Sequence, residues 1–156
     1  MKIKQAVIMI LALMMIFGVR AYAHCEIPCG IYGDPMRVDM IREDVETIQK
    51  SMNMIDKLSK EKKIDYNQLV RWINNKEEHA NKIQEVATQY FMFQRIKPVD
   101  ASDEEARGIY LEELELMHRI TILAMKCKQS TELKHTEEIL ELLHRFEHLY
   151  FDDHEH

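Results

Sequence analysis

Apolar residues recurring every three or four positions decide the fold class of this chain before any other feature is considered. Ile41, Val45, Ile48, Met52 and Ile55 step by four, three, four and three, which lays them along one stripe of an α-helix from Pro35 to about Lys60. Asp34 can cap that helix and Pro35 suits its first position. A second stripe, Leu69, Ile73, Ala80, Ile83, Ala87 and Tyr90, follows Asp65 and Gln68, which are spaced as a capping box, and it stops at Lys97-Pro98. Ser102 with Glu105 repeats the capping spacing ahead of a third helix, Gly108 to about Lys128. That helix is apolar around much of its circumference and is expected to be the most buried of the four. A fourth helix, about Thr136 to Phe151, gathers Ile139, Leu142, Leu143, Phe146, Leu149 and Tyr150 on one side. Strand-like alternation and a glycine-rich phosphate loop are both missing from the sequence. Four amphipathic helices with short connections predict an all-α, antiparallel four-helix bundle over residues 36–151.

The 156 residues suffice for one domain with a single core. Residues 1–23 stand apart from it. Lys2 and Lys4 precede an uncharged apolar run, Ala6 to Gly18, and Ala21-Tyr22-Ala23 ends it. This is the layout of a cleaved secretory signal peptide with a small-x-small cut directly before His24. A membrane anchor fits less well, because the run is shorter than the roughly 18 to 20 apolar residues that span a bilayer. A lipid-modified Cys25 would want a small residue where His24 stands, and no twin arginine occurs. The expectation is therefore an exported protein, periplasmic or extracellular, with no membrane attachment after cleavage. Loss of Lys2, Lys4 and Arg20, with no acid, takes the formal charge from −6 to −9. So acidic a surface argues against nucleic acid or an anionic membrane as partner. Any pull on a small anion must come from local charge.

The new amino terminus concentrates the chemistry. In His24-Cys25-Glu26-Ile27-Pro28-Cys29-Gly30, cleavage frees the α-amine of His24 beside its imidazole, the Cys25 amide and thiolate come next, and the Cys29 thiolate lies a short turn away. An amine, a deprotonated amide and two thiolates can form a planar square, which selects Ni(II) or Cu(II) over tetrahedral zinc. The imidazole can approach from above that plane. Such donors stabilise a higher oxidation state, so nickel can cycle between +2 and +3 by one electron. Pro28 stiffens the return of the chain and Gly30 allows a sharp turn. Spacing alone equally allows a Cys25–Cys29 disulfide in an oxidising compartment. The third cysteine, Cys127, lies in an apolar helical stretch and reads as a small buried side chain.

The run His-Cys-x-x-Pro-Cys-Gly-x-Tyr followed by Asp-Pro resembles the amino-terminal hook of nickel superoxide dismutases. The resemblance implies a hook over residues 24–35 of a single domain, 24–156, with one nickel per subunit. His24 would supply its amine and, when the metal is oxidised, its imidazole; Cys25 its amide and thiolate; Cys29 the second thiolate. Tyr32 would stand near the open face where superoxide reacts, Glu26 would be the family's acidic residue after the first cysteine, both as catalytic candidates, and homohexameric assembly is implied. Gly33 is one residue more than the common pattern. Counted from Asp34-Pro35, the glutamate that steadies the axial imidazole in the family falls on Ile41, and its arginine falls near His79. Glu43 and His79 are the candidates left for that role.

Other constellations compete. Glu115-x-x-His118 and Glu141-x-x-His144 have the spacing of a carboxylate-bridged di-iron bundle, but Glu141, His144 and His148 fall opposite the apolar side of their helix and should face solvent. The same hook could also serve an exported nickel- or copper-binding protein without turnover. His144, His148 and the tail histidines His154 and His156 read as solvated surface able to hold stray metal weakly. Met40, Met52, Met117 and Met125 read as core filling. Trp72 and Tyr90 suit packing or subunit contacts, and Arg71 and Arg95 surface charge.

Overall fold

The computed structural model describes Gln5 and residues 33–153. Among these, four helical segments and no strand occur: α1 (Asp34–Ser59), α2 (Tyr66–Glu85), α3 (Glu104–Gln129) and α4 (Lys134–Asp153). The second continues directly into a π-helix, Val86–Arg95. Cross-helix pairs establish that neighbours are antiparallel. Arg42 pairs with Glu147 at 2.7 Å while Gln49, about two turns further on, meets Thr136 at 3.1 Å. Arg119 likewise meets Glu138 and Arg145 meets Glu112. The predicted all-α four-helix bundle is the observed fold.

Its core is made by the stripes. Ile41, Val45 and Ile48 of α1, Ala80 and Ile83 of α2, Met117 and Ile120 of α3, and Ile139, Leu143 and Phe146 of α4 have no exposed surface. Each large apolar side chain so buried contributes about 1.5–3 kcal/mol by transfer from water. Phe91 sits at the centre of an aromatic group, edge-on to Tyr90, Phe146 and Tyr150 with ring centroids 5.1, 5.0 and 5.8 Å away.

Several local expectations are corrected. The N-cap of α1 is Gly33, whose φ of 79° is open to glycine and strained for other residues, and its side-chain-less cap leaves Asp34 for other work. Asp103, rather than Ser102, caps α3 by accepting from the Ala106 amide at 3.0 Å, while Ser102 turns back to Asp100. Asp65 caps α2 through the Gln68 amide, as its spacing suggested. The apolar stripe of α2 is buried only from Ala80 onward, and Ile73 remains 37% exposed. Met125, on an outer face of α3, is 39% exposed rather than core filling. α3 buries seven residues to the eight of α1, so it is not the most buried helix.

Lys76 was not singled out by any pattern, yet it is 4% exposed. Its ammonium donates to the carbonyls of Cys127 and Lys128, both at 2.5 Å. Those carbonyls belong to the last turn of α3, where no further intrahelical donor exists, so a neighbouring helix supplies the cation that satisfies them.

Candidate metal centre

At one end of the bundle α1 begins, the π-helix ends and α4 ends. Asp34 organises it. One carboxylate oxygen accepts from the Tyr90 hydroxyl. The other accepts from the Tyr150 hydroxyl at 2.7 Å and from Arg95 through Nε at 3.0 Å and Nη2 at 2.5 Å. These partners lie 56, 116 and 61 residues away in sequence. Burial pushes the Asp34 carboxyl up, but the three donors outweigh it and hold it below the ordinary carboxylate range. Burial, and then the bond to Asp34, pushes Tyr90 up to about 12, and Tyr150 is raised for the same two reasons. Arg95 is therefore an ion-pair partner, not the plain surface charge expected of it.

The π-helix explains how one carboxylate reaches both Tyr90 and Arg95. In an α-helix, residues five apart point about 140° apart. Winding with i to i+5 bonds, such as Ile96 N–H to the Phe91 carbonyl at 2.9 Å, brings them toward one side. Arg37 completes the packing by lying over the Tyr90 ring, 5.0 Å from its centroid.

Two clefts flank this anchor. One, about 540 Å³, is lined by residues including Asp34, Arg95, Lys97, Tyr110, Glu113 and Tyr150. The other, about 400 Å³, is bordered by Arg37, Glu43, Asp44, His79 and Tyr90 among others. In it His79 Nδ1 meets Asp44 Oδ1 at 2.6 Å. Burial raises the Asp44 carboxyl, and the bond to His79 opposes that rise. Of the two positions matched to the axial-imidazole network, Ile41 is wholly buried in the core and can offer nothing to a metal site. His79 is at a cleft beside the anchor, but its partner is Asp44; Glu43 lines the same cleft without being that partner.

His24, Cys25, Glu26, Cys29 and Tyr32 lie outside the described residues, as do the segment 1–23 apart from Gln5 and the tail histidines His154 and His156. The chemistry of the donor set can still be tested against the rest of the chain. Cys127 has no exposed surface, and burial pushes its thiol up to about 11. It is a poor ligand for an entering ion. Among the described residues, no three His, Cys, Asp or Glu side chains converge to enclose a metal. Both Glu-x-x-His pairs of the di-iron alternative, Glu115 with His118 and Glu141 with His144, face solvent. An amine, an amide and two thiolates suit nickel.

A family model described as nickel-containing superoxide dismutase matches residues 19–154. No curated protein and no solved structure matches the chain.

Proposed function

The chain belongs to the nickel-containing superoxide dismutase family, and on that premise we propose that His24, Cys25 and Cys29 hold its nickel at the bundle end anchored by Asp34. It is a nickel-dependent oxidoreductase that converts two superoxide ions and two protons into hydrogen peroxide and dioxygen. The bound nickel supplies the one-electron cycling between +2 and +3.

The carrying observation is the sequence His24-Cys25 with Cys29 only five residues before a pinned Asp34. An extended chain covers at most about 3.6 Å per residue, so the tether keeps Cys29 within about 18 Å of Asp34. The protein's own residues then divide the work. The His24 amine and imidazole, the Cys25 amide and thiolate and the Cys29 thiolate would hold the nickel, and Tyr32 and Glu26 would guide the small anion. Arg37, Arg95 and Lys97 lie at the same end, where Asp34, Glu43, Asp44, Glu85 and Glu113 line the same two clefts and offset their charge.

The same reading includes export by a signal peptide removed after Ala23, a periplasmic or extracellular location, and assembly as a homohexamer. Phe93 at 63% exposed and Leu111 at 50% give a lone subunit apolar surface that assembly would cover.

One residue left before His24 removes the primary amine from the ligand set. Such an extended form should neither bind nickel tightly nor consume superoxide above the rate of free metal. Cys25→Ser and Cys29→Ser should each be inactive, while Cys127→Ser retains activity. Full activity in the extended form would rule out this coordination, and the opposite cysteine pattern would move the site.

A further inference from the structure

Outside the hook, the last three turns of α4 carry a second arrangement of metal-ligating side chains. His144 and His148 are both exposed and stand one helical turn apart, with ring centroids 4.6 Å from each other. Asp152, a further turn along, places a carboxylate oxygen 3.7 Å from His148 Nδ1. A shallow cleft of about 300 Å³ is lined by His144, Glu147, His148 and Asp152. We propose that His144 and His148 form a second metal site, a two-imidazole chelate for a borderline divalent transition cation, which captures Ni(II).

The geometry supports a chelate rather than two independent imidazoles. A helix holds i and i+4 side chains about 5–6 Å apart at Cβ. Two nitrogens binding one ion at about 2.1 Å and near a right angle are about 3 Å apart, and rings at 4.6 Å reach that by rotation about their own side-chain bonds. Imidazole suits nickel, copper and zinc, and calcium or magnesium would prefer oxygen. The Asp152 carboxylate, 3.7 Å from His148 Nδ1, adds charge on that side of the ring without a hydrogen bond, and Nε2 is the nitrogen left for the ion. Water fills the remaining positions of the ion, in keeping with a capture site that must also release.

Neighbouring charges do not obstruct it. Arg145 is engaged by Glu112 at 2.9 Å, and Glu147 by Arg42 at 2.7 Å. Glu141, exposed one turn before His144, adds negative potential along with Asp152. The location gives the site its purpose. Tyr150, two residues after His148, is the residue that donates to Asp34, so an ion held here is at the end of the bundle from which the hook departs. The choice of nickel as the physiological ion rests on the hook reading; the chelate itself does not.

Nickel titration of the mature protein by calorimetry, with bound metal counted after gel filtration, tests this. The intact protein should take up two equivalents, one tight and one micromolar. His144→Ala/His148→Ala should lose only the weaker equivalent, and Cys25→Ser/Cys29→Ser only the tighter, so failure of either site is seen separately. Paramagnetic Ni(II) should broaden the His144 and His148 ring resonances first. A protein ending at Asp153 should keep the weaker equivalent. At limiting nickel, the rate at which the hook's thiolate-to-nickel absorbance grows should fall several-fold in the double histidine variant, with the final absorbance unchanged. An unchanged stoichiometry in that variant, loss of the weaker equivalent with the tail alone, or equal loading rates would each overturn the proposal.

Discussion

Replacing Asp34 with Asn keeps the size of the side chain and removes its charge, which isolates what the anchor contributes. Two tyrosine hydroxyls and Arg95 donate to the carboxylate. A hydrogen bond to a charged acceptor is worth about 1.5–3 kcal/mol and a neutral one about 0.5–1.5, so each tyrosine bond weakens by about 1 kcal/mol. Arg95 is 39% exposed, and solvent screening limits the loss of its ion pair to about 0.5–1 kcal/mol. The asparagine amide also turns a donor toward groups that are donors themselves. The total is about 3 kcal/mol, or about 10 °C in Tm for a chain of this size. Urea unfolding followed by circular dichroism should show this loss in the nickel-loaded protein and again after chelation. Nickel stabilises both variants by mass action, so the difference between them persists. Tyr90→Phe and Tyr150→Phe should each cost less, and combining either with Asp34→Asn should cost less than the sum, because the partners share one carboxylate. A loss below about 1 kcal/mol, or strictly additive doubles, would refute the claim that Asp34 holds this end together.

Alkaline titration probes the same cluster from the donor side. Tyr90 is raised in the folded state, so its stabilising effect is complete below the ordinary tyrosine value of 10 and is lost as pH rises through about 12. The urea midpoint should fall across that window, and less steeply in Tyr90→Phe; an identical slope would exclude Tyr90 as its source. Gly33→Ala introduces a side chain at φ 79°, where the added Cβ meets nothing closer than Pro35 Cδ at 3.8 Å. The penalty is thus backbone strain of about 1–3 kcal/mol, visible in the same unfolding assay; a neutral substitution would mean that the turn relaxes freely. Lys76→Met keeps the buried stem and removes the donor to Cys127 and Lys128. It should cost about 1–3 kcal/mol and speed amide exchange at the end of α3, whereas unchanged exchange would show that those carbonyls need no cation.

Residue pattern alone determined the helices, because a stripe repeating every 3.6 residues can bury itself only as a helix, and Ile41 through Ile48 or Ile139 through Phe146 leave no second choice. It also determined the candidate ligands, since His24, Cys25 and Cys29 are neighbours in the chain and their chemistry depends on covalent spacing. The exposure of Glu141, His144 and His148 followed from the same arithmetic, and the described helix places them in solvent. What no spacing could reveal was the set of partners drawn from distant segments. Asp34 reads as an ordinary helix cap until Tyr90, Arg95 and Tyr150 arrive from two other helices, and a π-helical turn is needed to aim two of them. Lys76 likewise reads as a surface cation until α3 ends beside it, and His79 has no fixed partner until α1 presents Asp44. Local periodicity sets which face of each helix is apolar; only packing the four together sets which polar groups on different helices come within hydrogen-bond distance, and those meetings shape the end of the bundle from which the hook departs.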